Sequence, residues 1–176
     1  MPADGAWLKD HIRDIPDFPT PGVVFKDLTP LFADVDAFRF TVDAIADHVA
    51  GRDIDKVVAI EARGFIIAAP VAYRLGAGLV PVRKVGKLPW HTESLEYQLE
   101  YGTAELEIHR DALAPGDEVL IVDDVLATGG TAKAAVSLVE RLGASVVSIG
   151  VIIELEFLHG REALDGYDVL SLVSFA

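Results

Sequence analysis

The sequence contains no cysteine, which excludes disulfide bonds and thiolate chemistry and is compatible with the cytoplasm. Long apolar runs are missing as well. The longest, residues 65–73, contains a proline and is too short to cross a bilayer. Charged residues occupy positions 4, 9, 10 and 13, so the N-terminus has no apolar signal core. We therefore expect a cytoplasmic protein that has no membrane partner.

Basic residues are scarce. Lys and Arg number 15 against 28 Asp and Glu, giving a net charge of −13, which argues against binding to nucleic acid. Acidity of this kind is also an ordinary solubility feature. The five histidines have no ligand-like spacing, so we expect no structural metal site. The length of 176 residues and the 51% hydrophobic content predict a single globular domain over residues 1–176.

Predicted strands alternate with predicted helices, a pattern typical of a three-layer α/β fold with a mostly parallel sheet. The predicted strands are residues 56–60, 79–83, 103–109, 119–122, 145–153 and 168–173. The predicted helices are residues 7–12, 38–49, 65–75, 131–142 and 157–164, and residues 18–30 are predicted to be extended. Strand 103–109 alternates apolar residues with Glu105 and Glu107, which predicts that it is half exposed.

Residues 119–131 are the most informative segment. A buried strand is followed by Asp123 and Asp124, then by a loop of small and hydroxyl residues, and then by a helix. The loop consists of Ala127, Thr128, Gly129, Gly130 and Thr131. Open α/β sheets bind ligands at the carboxyl ends of their strands, and the amides of such a loop suit one phosphate group. Because the segment has no Lys or Arg, an anion there would depend on backbone dipoles.

A Gly-Gly-Thr turn alone is more often an ordinary helix cap than a ligand site. The two acids favour a ligand, since adjacent carboxylates repel each other and need a partner such as ribose hydroxyls or a hydrated cation. The segment is neither a P-loop nor a dinucleotide motif. It therefore predicts a ribose 5-phosphate site, in which a side chain at Gly129 would block the phosphate.

Residues 84–102 have no clear periodic pattern, and a stretch of that length is either an active-site lid or a β-hairpin with residues 94–99 as one arm. These two interpretations are compatible. Arg83, Lys84 and Lys87 lie at its start, whereas residues 88–109 contain no Lys or Arg. The cluster is either an anion clamp or a solvated basic turn. Arg63 follows a buried strand and precedes a glycine, where a guanidinium and backbone amides can bind phosphate.

Segment 119–131 resembles the phosphoribosyl-pyrophosphate (PRPP) signature of the type I phosphoribosyltransferases. Four further segments resemble the adenine-specific members of that family and occur in the same order: residues 18–27 (FPTPGVVFKD), 61–65 (EARGF), 82–89 (VRKVGKLP) and 99–102 (LEYG). The resemblance covers residues 11 to 165. It implies a Rossmann-like, mostly parallel sheet flanked by helices, with a small N-terminal hood (residues 1–35) and a flexible catalytic loop (residues 84–102).

The resemblance implies an enzyme of purine salvage, a glycosyltransferase that transfers the phosphoribosyl group of PRPP to adenine and yields AMP and pyrophosphate. It also implies a homodimer, and Mg²⁺ held mainly by PRPP and water near Asp123 and Asp124. Enzymes acting on hypoxanthine, guanine, xanthine or orotate are the near alternatives, and segments 18–27 and 99–102 argue against them. A PRPP-sensing regulator is the alternative from another class. It would typically carry a basic nucleic-acid-binding module, which this acidic chain does not have.

The resemblance also implies residue roles. The catalytic residues would be Glu100, Asp124 and Arg63, with Glu100 as acid or base toward the purine. Without the family, Glu100 could not be chosen over Glu93 or Glu96. The substrate-binding residues would be Val24, Phe25, Lys26, Arg63, Arg83, Lys84, Lys87, Tyr101, Asp123, Asp124, Val125, Ala127, Thr128, Gly129, Gly130 and Thr131.

Within that set, Val24, Phe25 and Lys26 would form the adenine pocket and Val125 would cover its other face. From the residues alone, core positions are the slightly better interpretation of Val24 and Phe25. The family often has a cis peptide in its pyrophosphate loop, which we expect between residues 62 and 63. Trp90 departs from the family pattern, and its role does not follow from the sequence.

Overall fold

The computed structural model describes residues 5–98 and 102–176. Its strands are β1 (Arg13–Pro16), β2 (Val24–Asp27), β3 (Lys56–Ile60), β4 (Gly78–Lys84), β5 (Thr92–Gln98), β6 (Thr103–His109), β7 (Glu118–Leu126), β8 (Ser145–Leu155) and β9 (Val169–Phe175). Its α-helices are α1 (Thr29–Ala33), α2 (Val35–His48), α3 (Gly64–Leu75) and α4 (Gly130–Arg141). Short 3-10 helices cover Gly5–His11, Glu156–Leu158 and Gly160–Leu164.

Seven strands form the central sheet, in the order β5-β6-β4-β3-β7-β8-β9. The pairs β4-β3, β3-β7, β7-β8 and β8-β9 are parallel. The two remaining pairs, β4-β6 and β6-β5, are antiparallel. The prediction of an α/β fold with a mostly parallel sheet is confirmed. In the described part of the chain, no helix is long and apolar enough to span a membrane.

Side chains that alternate along the central strands build two separate cores, one on each face of the sheet. Leu120 and Val122 of β7 pack in the core that contains α2 and α3. Val119 and Ile121 pack in the core that contains α4. The alternation is interrupted at the two acids that follow, because Val125 packs against the same core as Val122 and Leu126 lies in the core that contains α4.

The N-terminal region differs in detail from the prediction. The helix expected at residues 7–12 is a 3-10 helix at Gly5–His11, and the extended segment 18–30 contains β2, which pairs with β1. The helix expected from residue 38 begins at Val35, because Asp34 caps it by accepting the amides of Asp36 and Ala37.

Segment 84–102 contains one arm of a β-hairpin. β5 begins at Thr92 and pairs in antiparallel fashion with β6, so the hairpin interpretation is confirmed with an earlier start. Residues 85–91 form the connection from β4 to β5. The hairpin tip, residues 99–102, lies outside the described residues except for Gly102.

The alternation of β6 predicted a half-exposed strand, but the alternation in exposure does not hold at Glu107. Its side chain is buried, with a residue exposure of 4%, because the 85–91 connection folds over it. The carboxylate accepts the amides of Lys87 (2.9 Å) and Leu88 (2.8 Å). Burial alone would raise the pKa of Glu107, but these amide hydrogen bonds outweigh it and lower the pKa. Glu107 therefore anchors the basic connection to the sheet.

Replacing Glu107 with alanine is expected to lower the free energy of unfolding by about 1–3 kcal/mol, because two amides lose a charged acceptor. Since the folded pKa lies below the usual 4.5, this stabilisation is present above that pH and disappears as the pH falls through the folded value. Urea unfolding at neutral and acid pH measures it. Glu105→Ala is the matched control on the same strand, and an equal loss in both variants would contradict the anchoring role.

Candidate active site

The loop between β7 and α4, residues 127–131, forms a concave cradle of backbone. No side chain caps the N-terminus of α4, in contrast to the N-terminus of α2, and Gly129 takes a left-handed conformation with φ of +83°. Uncapped amides at a helix N-terminus attract anions. The adjoining cavity is lined by Asp123, Val125, Leu126, Ala127, Thr128, Gly129, Thr131 and Ala132.

Gly129 is packed from behind by the 3-10 helix that starts at Gly160. A Cβ on Gly129 would overlap the carbonyl oxygen of Gly160 and lie 2.8 Å from the Cβ of Ala163. A Cβ on Gly160 would in turn overlap the carbonyl oxygen of Ala127. The expectation that a side chain at Gly129 fills the cradle was therefore wrong, because it would point away from the cavity and break the support of the loop.

Asp123 and Asp124 are both buried, with exposures of 9% and 6%. The amide of Asp124 donates to Oδ1 of Asp123 at 2.8 Å. Burial and the neighbouring charge of Asp124 together raise the pKa of Asp123 well above its usual value. Within residues 5–98 and 102–176, no group of three or more His, Cys, Asp or Glu is arranged to hold a metal ion.

Arg63 holds the second acid. Its Nε lies 2.5 Å from Oδ2 of Asp124, although that oxygen has no partner with hydrogen-bond geometry among the described residues. The guanidinium also lies over the ring of Phe25, 4.9 Å from its centroid. Arg63 thus links the hood strand β2 to the end of β7.

A second cavity, here called the base pocket, lies between β2 and the end of β7. It is lined by Val23, Val24, Phe25, Lys26, Arg63, Asp124, Val125, Ala127 and Leu155. Val24 is 50% exposed and Phe25 is partly exposed, so the interpretation of these two residues as core was wrong. They stay exposed because β2 belongs to the separate two-stranded sheet, outside both cores.

Lys26 contributes to the base pocket differently from its neighbours. Its ammonium is engaged elsewhere, 2.6 Å from Asp14 and 4.0 Å from the ring centroid of Phe175. The predicted set omitted Val23 and Leu155. Val23 lies within the segment 18–27 already singled out. Leu155 ends β8, the neighbour of β7, so the rule that parallel strands end at one edge could have identified it.

In the predicted cluster of Arg83, Lys84 and Lys87, one side chain is already paired with a carboxylate. Arg83 forms an ion pair with Glu61 at 3.1 Å, and Glu61 also accepts the amide of Lys84 at 2.9 Å. Burial would raise the pKa of Glu61, but the hydrogen bonds from Arg83 and Lys84 and the nearby positive charge lower it. The side chains of Lys84 and Lys87 are exposed. Sequence reasoning missed the role of Glu61, because nothing in its local pattern indicates its contacts with Arg83 and Lys84.

The cis peptide, the residues Glu100 and Tyr101, and Trp90 complete the comparison with the sequence analysis. The cis peptide joins Glu61 and Ala62, one bond earlier than predicted. Glu100 and Tyr101 lie outside the described residues. Trp90 is 64% exposed and meets the ring of His91 edge-on.

The chain matches a family model described as "Phosphoribosyl transferase domain" over residues 34–173. It is 58% identical over 168 residues to the adenine phosphoribosyltransferase of Nitrosococcus oceani, covering 96% of this chain and 98% of that one. The crystal structure of the Thermoanaerobacter pseudethanolicus adenine phosphoribosyltransferase superposes with a TM-score of 0.93 at 56% identity, covering 96% and 98% of the two chains. The Saccharomyces cerevisiae adenine phosphoribosyltransferase superposes with a TM-score of 0.90 at 40% identity, covering 95% and 97%. That yeast structure is a complex with an imino-altritol bisphosphate and adenine.

Asp123→Asn is expected to raise the melting temperature of the ligand-free protein at neutral pH, because it removes a buried charge and keeps an acceptor for the Asp124 amide. The folded pKa of Asp123 is raised, so the destabilisation is absent below the usual value of 3.8 and grows as the pH rises through the folded value. Thermal melts from acid to neutral pH measure it. Asp165→Asn, at an exposed carboxylate, is the control. The electrostatic origin would be contradicted if the difference in melting temperature between Asp123→Asn and the wild-type protein shrank toward neutral pH.

Proposed function

Because the chain belongs to the adenine phosphoribosyltransferase family, we propose that the cradle and the base pocket together carry out the reaction of that family. The reaction transfers the 5-phosphoribosyl group of PRPP to adenine and gives AMP and pyrophosphate, a glycosyl transfer of purine salvage. One observation carries the assignment to these residues: Val125 and Ala127 line both cavities, and the two acids divide between them. A nucleoside monophosphate has the matching order of phosphate, sugar and base.

The cradle is proposed to bind the 5-phosphate. The uncapped amides at the start of α4 and the hydroxyls of Thr128 and Thr131 would donate to its oxygens. Asp123 and Asp124 would accept the two ribose hydroxyls. Those donors would stabilise the ionised form of Asp123, which the ligand-free protein disfavours. Substrate binding therefore relieves an electrostatic cost that the empty site carries.

The base pocket is proposed to select adenine through the backbone of β2. Phe25 and Val125 offer apolar surfaces on either side of a planar base, and the main chain of Val24–Lys26 can read its edge. A base with the wrong pattern of donors and acceptors would leave a buried group unpaired, at a cost of about 1–3 kcal/mol per group. The ammonium of Lys26 is held by Asp14, so it is not part of this readout.

The cations are proposed to stabilise the departing pyrophosphate. Positive charge develops on the ribose ring as the bond to pyrophosphate breaks, and negative charge develops on the leaving group. Arg63 and the exposed Lys84 and Lys87 would meet that negative charge, while Glu61 fixes Arg83 and the backbone of the connection. The buried acids would lie on the sugar side. Opposite charges would then flank the breaking bond.

Magnesium fits the acid pair as a hydrated ion. Asp123 and Asp124 are two buried hard oxygen donors, and Oδ2 of Asp124 has only the ion pair with Arg63 among the described residues. These two residues would hold water ligands of an ion carried mainly by PRPP. The ion would neutralise charge on the pyrophosphate. The cytoplasmic location and the lack of a nucleic-acid partner are further parts of the proposal and rest on composition alone.

Glu100 and Tyr101 enter the proposal through the family resemblance. Glu100 would act as acid or base toward a ring nitrogen of the purine when the hairpin tip closes over the base pocket. Burial of a carboxyl group on closure raises its pKa toward the range useful for proton transfer. Tyr101 would contribute to substrate binding from the same tip.

A homodimer is proposed from an uncovered apolar face. Ile66, Ala69 and Tyr73 form an exposed stripe along α3, and Tyr73 has an exposure of 90%. Leu79 and Val85 extend the exposed apolar surface along β4 and beyond it. Exposed apolar side chains grouped on neighbouring elements are typical of a subunit interface. This face lies beside the basic connection, so a second copy would cover one side of the pyrophosphate end.

The purified protein is expected to form AMP and pyrophosphate from adenine, PRPP and magnesium, and to leave guanine and hypoxanthine unused. Glu100→Leu is expected to lower kcat by about 100-fold or more, because proton transfer is lost while the cradle stays intact. Steady-state rates together with PRPP affinity measured by calorimetry test both statements.

Glu96→Leu is the matched control for that variant, since Glu96 is an exposed glutamate on the same hairpin. Turnover of guanine in place of adenine would reject the base assignment. Unchanged turnover by Glu100→Leu would remove Glu100 from the mechanism.

Tyr73→Lys is expected to convert the protein from a dimer to a monomer, because it introduces a charge into the apolar face of α3. Sedimentation velocity measures the change against a chain mass of 18.9 kDa. Phe157→Lys is the control, since Phe157 is exposed at 56% outside that face. A wild-type protein that sediments as a monomer would refute the proposed dimer.

A further inference from the structure

Tyr97 connects the hairpin to the cradle. It lies on β5, three positions before Glu100, and its phenol lies 3.2 Å from Oγ1 of Thr131, with the threonine hydroxyl as donor. Tyr97 does not line the cradle cavity, whereas Thr131 does. The tyrosine therefore reaches the cradle through the threonine.

The hairpin is fastened to α4 at both ends of the helix. Tyr97 meets Thr131 in the first turn, and Arg141 in the last turn donates to the carbonyl of Ser94 (3.3 Å) and pairs with Glu93 (3.6 Å). β5 thus runs along the helix toward the helix N-terminus. Tyr97, near the end of β5, therefore lies beside the same end of α4 that forms the cradle.

We propose that Tyr97 is a positioning residue for the 5-phosphate, acting through the Thr131 hydroxyl. The inference rests on the proposed function, since it takes the cradle as the phosphate site. Thr131 has a single hydroxyl proton, which the ligand-free protein directs to Tyr97. When phosphate occupies the cradle, Thr131 donates that proton to a phosphate oxygen. Tyr97 then reverses its role and donates its phenol proton to the threonine oxygen.

This relay has two consequences. The phenol holds the Thr131 hydroxyl in place and polarises it, which strengthens its hydrogen bond to the anion. Without the phenol, the hydroxyl of a threonine in the first turn of a helix is free to rotate toward backbone carbonyls. The relay also couples phosphate binding to the position of β5.

Tyr97→Phe is expected to raise the KM for PRPP about 3- to 10-fold, the effect of one neutral hydrogen bond, with a change of less than about 2-fold in the KM for adenine. Thr131→Val is expected to raise the KM for PRPP as well. Once Thr131 is valine, adding Tyr97→Phe should have no further effect, because the two residues act on phosphate as one unit. Tyr167→Phe, which removes a hydrogen bond to Glu140 in the last turn of α4, is the matched control.

An unchanged KM for PRPP in Tyr97→Phe would overturn the inference. It would also be overturned if Tyr97→Phe raised the KM equally in the wild-type protein and in the Thr131→Val variant. Calorimetric titration with ribose 5-phosphate compares the same single and double variants without any transfer to a base, so it tests Tyr97 even if the proposed reaction fails. If the wild-type protein binds ribose 5-phosphate but does not convert adenine, the proposed function is refuted, and the affinities of the variants for ribose 5-phosphate still decide the role of Tyr97. Melting temperatures of all variants identify any general loss of folding.

Discussion

The burial of two adjacent carboxylates at the end of β7 is the constraint on which the rest of the site depends. Removing such groups from water costs free energy unless a charge or hydrogen bond compensates for it. Arg63 compensates Asp124, whereas Asp123 receives only the amide of its neighbour from the residues described, and its raised pKa records the remaining cost. A ligand with hydroxyl groups or a metal ion would supply the missing hydrogen bonds or charge. Binding of such a ligand would therefore lower the electrostatic cost that the ligand-free site carries.

Two cavities meet at the end of β7. Asp123 lines the cradle and Asp124 lines the base pocket, while Val125 and Ala127 line both. The regular alternation of β7 stops at the two acids, because Val125 packs against the same core as Val122 and Leu126 lies in the other core. A ligand with phosphate, sugar and base in a row would follow the same path from one cavity to the other.

Local patterns were sufficient for the parallel strands, for helices α2, α3 and α4 and for the glycine-rich loop before α4, because each depends on periodicity or on turn chemistry within one segment. They did not predict β1 or α1, and the helix predicted at residues 157–164 is two short 3-10 helices. The burial of Glu107 and the contacts of Glu61 were beyond reach, since both depend on a part of the chain that is distant in sequence. The contact between Tyr97 and Thr131 joins two such segments and has no local signature. Glu100 was chosen by family resemblance alone, since three glutamates of the hairpin have similar surroundings in the sequence.

The backbone contact between Gly160 and the loop at Ala127 and Gly129 has a consequence for biosynthesis. The cradle needs the segment that follows β8, which the ribosome delivers only after the PRPP-like signature has been made. A nascent chain therefore holds an unsupported loop until residues 160–164 have emerged from the ribosome. A ligand of the cradle would then stabilise only chains in which this segment is already in place, so it would act late in folding rather than as an early template.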